Sequence, residues 1–180
     1  GAIDDRTRIL FLTNPHSPTG RLLDAADIRR VCDAAAERLV VLDEAYIHFS
    51  KTNGGMDLLK EYKNLIVLRT FSKVFGLAGL RIGFGIADAE IIKPLMHLKP
   101  TWNMGQLQIA GGCAALDDDE FVEKTIDAIA EMRTYVMDRL AGLNSFSVVG
   151  QPRSNFFLLR IEDETLDSTM VFNELLKRSV

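Results

Sequence analysis

The sequence of 180 residues lacks the features that would mark a membrane protein, a nucleic-acid binder or an oxidised scaffold. No apolar run approaches the ~20 residues of a membrane-spanning helix, and nothing at the start reads as a signal peptide, so a soluble, cytoplasmic protein is expected. The 21 basic and 25 acidic residues leave a net charge of −4, and neither sign forms a long block. A basic groove for nucleic acid and a polybasic membrane anchor are therefore not expected. The longest acidic run, Asp117 to Glu120, stands where a helix should begin, and a solvated first turn accounts for it. Cysteine is scarce. Cys32 and Cys113 lie far apart, match no metal-ligand spacing, and read as two buried, reduced thiols, with no metal expected. Internal repeats and low-complexity stretches are also lacking.

What is present is apolar patterning. At 47% apolar residues the chain can bury the core of one domain, or of one domain and part of another. Arg8 to Leu12 reads as a short buried strand, stopped by the proline- and glycine-bearing cluster Thr13 to Gly20. A helix is expected from Asp24 as N-cap, with Ile28, Val31, Cys32, Ala35 and Leu39 as its buried stripe. Leu39 to Leu42 and Leu65 to Leu68 are continuous apolar runs suited to interior parallel strands, and Arg81 to Ala87 is a glycine-rich further strand. The alternation predicts an α/β sheet whose chemistry gathers at the strand carboxyl ends, where Asn14, Asp43 and Lys73 stand.

The second half changes character. Ile91 to His97 and Gln108 to Leu116 predict short helices, and Asp119 to Leu143 a long amphipathic one. Its stripe is Val122, Ile126, Ile129, Met132, Val136, Leu140 and Leu143. Strand-like pieces at Phe146 to Val149 and Asn155 to Ile161 precede a last amphipathic segment, Ser168 to Arg178.

Two clusters carry chemistry. Asp43-Glu44-Ala45-Tyr46 directly follows a strand, where a carboxylate is costly unless a cation or strong donor meets it. A charged turn or cap is the alternative reading. Arg69 to Lys73 ends a second strand, and Arg81 follows eight residues after the lysine, with Gly76, Gly79 and Gly83 marking tight turns. A hydroxyl, a lysine and an arginine around glycines suit a phosphorylated ligand, against the alternative of a basic surface loop. Lysine is also a nucleophile once desolvated or placed beside another cation.

Four motifs in order then carry a resemblance: Asn14-Pro15-His16-Ser17-Pro18-Thr19-Gly20, Asp43-Glu44-Ala45-Tyr46, Thr70-Phe71-Ser72-Lys73 and Gly79-Leu80-Arg81-Ile82-Gly83. Together they resemble the signature of fold-type I, class I/II aminotransferases dependent on pyridoxal 5'-phosphate. The stretch from Arg69 to Ala87 is most similar to the histidinol-phosphate aminotransferase branch, and the similarity runs from about Ile9 to the end.

The resemblance implies a mostly parallel sheet of the large pyridoxal-phosphate domain over residues 1–118, a bridging helix at 119–143 and part of a smaller α+β domain at 144–180. It implies that Lys73 forms the Schiff base, that Asp43 pairs with the pyridinium nitrogen, and that Tyr46 donates to the phenolic oxygen. Ser72 and Arg81 would hold the phosphate. Ser17 stands where the family usually has asparagine, so a hydroxyl replaces that amide contact. His16 has no role in the family pattern and reads as a loop residue. The family's ring-stacking aromatic, its glycine-rich helix N-terminus and its substrate-carboxylate arginine have no counterpart placed in this chain. Asn155 resembles a substrate-side position of the family. The implied reaction is transamination of an amino acid or an amino-acid-derived phosphate, histidinol phosphate with 2-oxoglutarate first. A threonine-phosphate decarboxylase of the cobalamin pathway, suggested by Pro100-Thr101-Trp102-Asn103, and a catalytically inactive domain are the alternatives. The partners implied are a small-molecule amino donor, a 2-oxo acid and a second copy in a homodimer, with no nucleic acid and no membrane.

Overall fold

The structure is a computed structural model and describes residues 3–180. Four strands, β1 (Ile9–Thr13), β2 (Leu39–Asp43), β3 (Leu65–Thr70) and β4 (Gly83–Ala87), form one sheet in the order β1-β2-β3-β4. The first three run parallel, and β4 returns antiparallel to β3. The mostly parallel α/β sheet expected from the sequence is thus present.

Helix α1 (Ala25–Ala34) crosses from β1 to β2, and two 3-10 turns, Ile47–Ser50 and Met56–Lys60, lie between β2 and β3. One face of the sheet takes the core. Val40 and Leu65, then Leu42 and Val67, stand beside one another in register and pack with Ile28, Cys32, Ala35 and Leu58. The opposite face holds Val41 and Ile66, also buried, which is why β2 and β3 read as continuous apolar runs. Strand β1 departs from the expected buried strand. It is an edge strand with one neighbour, and Phe11 on its outer face is 73% exposed.

Helices α2 (Ala89–Leu98), α3 (Gln106–Leu116), α4 (Asp119–Leu140) and α5 (Ser168–Lys177) follow, with a small antiparallel pair, β5 (Phe146–Val148) and β6 (Leu159–Ile161), before α5. Aspartates start most of these helices. Asp24, Asp88, Asp118 and Asp167 each accept a backbone N–H of the first turn, at 2.8 to 3.0 Å. The acidic run Asp117 to Glu120 is therefore a capped helix start, as its composition suggests. Helix α4 ends at Leu140, short of the expected Leu143. Its stripe is half-buried from Val122 to Leu140 except at Met132, which is exposed while Arg133 turns inward; Leu143, past the helix end, is exposed too. Cys113, expected to be buried, is exposed on α3, a helix that meets the 78–82 segment through Gly111 and Gly112 and buries only Gly112. Cys32 is buried in the core as expected.

Candidate active site

The carboxyl ends of β2 and β3 point into one cleft of about 320 Å³, lined by Asp43, Ala45, Leu68, Arg69, Thr70, Ser72, Lys73 and Arg81. Its volume falls at the small end of ligand pockets, roughly 300–1,000 Å³. Four of the six residues expected at a cofactor site, Asp43, Ser72, Lys73 and Arg81, meet there. Tyr46 lies beside it, with the Lys73 Nζ 4.8 Å from the centre of its ring. Ser17 is not brought to this cleft. It sits exposed in the 14–20 loop, and the buried Asn14 organises that loop instead, accepting the Leu23 N–H at Oδ1 (2.8 Å).

The hairpin from Thr70 to Gly83 shapes one wall. Thr70 Oγ1 accepts the Ser72 N–H at 3.0 Å and donates to the Ile82 carbonyl at 3.2 Å. Lys73 opens a tight turn in which its carbonyl accepts the Gly76 N–H at 3.0 Å, and Gly76 takes a φ of +69° that suits glycine. At Gly83 a Cβ would come within 2.9 Å of the Arg69 carbonyl, so β3 and β4 close only around a glycine. Arg81 itself holds a left-handed backbone, φ +55°, unusual for a non-glycine residue. Its Nη1 donates to the Ala78 carbonyl at 2.9 Å and stands 3.5 Å from Ser72 Oγ. The remaining guanidinium donors and the Ser72 hydroxyl are groups of the kind that suit an anion.

Asp43 and Glu44 are adjacent but face opposite ways. Asp43 is half-buried at the cleft, and its Oδ1 accepts the Ala45 N–H at 3.0 Å. Glu44 is fully buried behind it. There Glu44 Oε1 accepts the Gly55 N–H at 2.5 Å, and Oε2 accepts from Arg69 at 2.9 and 3.1 Å. Arg69 also donates to the Asn53 carbonyl at 2.8 Å, tying the 53–55 loop to the strand ends. Burial pushes the Glu44 carboxyl up, while the Gly55 N–H and the Arg69 guanidinium pull it back. The Glu44–Arg69 pair was not singled out in the sequence. The signal was the doublet after a strand, since period-two alternation sends one carboxylate to each face.

His48, in the turn after Tyr46, is a second group the sequence did not flag. Its Nδ1 is buried without a partner, and its ring meets Phe75 edge-on at 5.3 Å. Burial first, and then the Arg69 charge, push its pKa down from 6.5 to about 4. A neutral histidine of this kind contributes stability that is present above pH 6.5 and lost as the pH falls through about 4. The acid limb of the stability curve should therefore be shallower in His48→Leu than in wild type over that window. Urea denaturation of both proteins across the window checks this, and parallel curves would sink the assignment.

The family model described as "Aminotransferase class I and II" matches residues 1–180. The histidinol-phosphate aminotransferase of Methanothermobacter thermautotrophicus is 36% identical over 181 residues, covering 99% of this chain and 47% of the relative. Among solved structures, the L-threonine-O-3-phosphate decarboxylase of Porphyromonas gingivalis matches with a TM-score of 0.83 at 25% identity, over 98% of this chain and 54% of that one. The histidinol-phosphate aminotransferase of Sinorhizobium meliloti, solved in complex with pyridoxal-5'-phosphate, matches with a TM-score of 0.80 at 26% identity, over 94% and 46%. The chain spans about half the length of the curated relatives it matches.

Proposed function

Because the chain belongs to the class I and II aminotransferase family, we propose that its cleft is the part of a pyridoxal-phosphate site that supplies the lysine, the ring-nitrogen carboxylate and two phosphate ligands. The convergence of Asp43, Ser72, Lys73 and Arg81 in a single cleft carries this reading. The donor set fits the group: an amine, a carboxylate, and a hydroxyl–guanidinium pair for a phosphate. Among the described residues, Lys73 enters none of the ion pairs, so its amine is not already committed to a carboxylate.

When bound, the cofactor supplies an electron-withdrawing ring that accepts the electron pair released at the substrate Cα. Lys73 would hold it through Nζ and, once freed, move a proton to and from that carbon. Asp43 would keep the proton on the ring nitrogen, Tyr46 would donate to the phenolic oxygen, and Ser72 with Arg81 would fix the phosphate. Ser17 is the remaining proposed contact; since it lies outside the cleft, a water would have to carry its hydrogen bond. Helix α4 would serve as the bridge between the sheet domain, residues 1–118, and the start of a smaller domain at 144–180.

The proposed reaction is transamination from histidinol phosphate to 2-oxoglutarate, supported by the names of the curated relatives. Decarboxylation of threonine phosphate is the second reading, supported by the similarity to the Porphyromonas gingivalis structure. A homodimer is part of the proposal, supported by apolar side chains displayed around α2 and α3, among them Leu98, Leu107 and Trp102, the last 91% exposed. Among the described residues no helix is long and apolar enough to cross a membrane.

A version extended to the relatives' length should form glutamate from histidinol phosphate and 2-oxoglutarate. Carbon dioxide release from threonine phosphate without glutamate would favour the second reading instead. In the same assay Asp43→Asn should keep the cofactor but lose turnover. An opposite charge within about 4–6 Å shifts a pKa by about 1–3 units, so a loss of roughly 10- to 1,000-fold is expected. Wild-type turnover by Asp43→Asn would refute the ring-nitrogen role.

A further inference from the structure

We infer that Phe156, from the opposite end of the chain, is a positioning residue for the site: it sets the Tyr46 ring and, through that ring, the place of the Lys73 amine. The role takes its meaning from the Lys73 site proposed above, but the geometry stands by itself. Phe156 meets Tyr46 edge-on, with ring centres 4.7 Å apart and planes at 87°. This is the favoured arrangement for two aromatic quadrupoles, and it fixes the tilt of the ring that it meets. The Lys73 Nζ lies 4.8 Å from the centre of the same ring, in the range where an ammonium is drawn to an aromatic face. One ring therefore touches both the working amine and a side chain more than a hundred residues away in sequence.

The segment that carries Phe156 is held in place independently of that contact. The Arg153 N–H donates to the Gly20 carbonyl at 2.8 Å, and the Arg153 carbonyl accepts from Ser50 Oγ at 2.9 Å. The Ser154 carbonyl accepts from Arg133 Nη1 of α4 at 2.9 Å, and Pro152 and Ser154 are buried. Gly20 holds a φ of +70°, and a Cβ there would meet Pro152 Cβ at 2.8 Å and the Phe156 carbonyl at 3.1 Å. Three elements thus clamp residues 152–156: the 14–20 loop, the turn Ile47–Ser50 and α4. Tyr46 immediately precedes that turn, so the clamp and the edge contact converge on one short stretch.

Reductive ¹³C-dimethylation of the cofactor-free chain gives each lysine an NMR resonance, and the Lys73 signal is assigned by its loss in Lys73→Arg. In wild type this signal should be displaced upfield by the Tyr46 ring. Phe156→Leu keeps apolar volume but removes the aromatic edge, and it should move the Lys73 signal most of the way to the position of a solvent-exposed lysine. Phe156→Tyr keeps the edge and should leave the signal in place. An unchanged Lys73 signal in Phe156→Leu would overturn the inference, as would equal loss in both variants, which marks packing alone. The measurement is made without cofactor, so a failure of Lys73 to take up pyridoxal phosphate would refute the proposed function and leave this result standing.

Discussion

Lys73→Ala is expected to abolish the covalent bond between the chain and pyridoxal phosphate completely. Wild-type chain treated with pyridoxal phosphate and borohydride should gain a stable adduct on the peptide containing Lys73, and the variant should gain none. The other candidate lysines are committed elsewhere. Lys51 Nζ pairs with Asp127 at 2.6 Å, and Lys99 Nζ donates to Asn103 at 2.9 Å. Lys73 instead lines the cleft together with Ser72, Arg81 and Asp43. The side chain is exposed, so its truncation should change folding stability by no more than about 0.5 kcal/mol. Loss of the adduct with an unchanged melting curve therefore separates chemistry from folding. An adduct mapped to Lys51 or Lys99 in wild type would overturn the assignment.

The largest loss of stability is expected from Arg69→Ala. Glu44 has no exposed surface, and Arg69 provides two of its three hydrogen bonds. Without the guanidinium, the carboxylate stays buried with one backbone N–H, and breaking a buried pair in this way costs about 3–5 kcal/mol. For a chain of this size each kcal/mol lowers Tm by about 2–4 °C, so a fall of roughly 6–20 °C is expected. Replacing both members, as in Glu44→Gln with Arg69→Met, should cost less, because no charge is stranded. The pH dependence has a definite sign. Burial raises the Glu44 carboxyl, so ionising it in the fold works against stability as the pH rises through its folded pKa. Arg69→Ala should therefore recover part of its loss on mild acidification, whereas wild type, in which Arg69 meets the charge, should not gain in step. Thermal melts at neutral and mildly acidic pH check both statements; a loss under about 1 kcal/mol at neutral pH would show that water reaches the Glu44 carboxyl.

Much of this protein was legible along the chain because the deciding interactions are local. The apolar runs of β2 and β3 report burial on both faces of a sheet, and aspartate before an amphipathic stretch reports a helix start, as at Asp24 and Asp118. The motifs around Asp43 and Lys73 could be placed near strand carboxyl ends because each apolar run gives way to charged and polar residues, Asp43 being the last residue of β2 and Lys73 standing three residues beyond β3. Tertiary structure decided the rest. Alternation along a strand says that Asp43 and Glu44 face apart, but only the position of Arg69 and the 53–55 loop decides which one is buried. The exposure of β1 and of Cys113 depends on what packs over them, for which the one-dimensional pattern carries no signal. Ser17 stands apart from the cleft because the 14–20 loop is pinned by Asn14 to Leu23 and by Gly20 to residues 152–156. Phe156 reaches Tyr46 through a clamp of contacts distant in sequence. Short-range periodicity encodes which face a residue takes within its own element. The identity of its neighbour across the fold is set by packing between elements, and packing exists only once the chain has closed on itself.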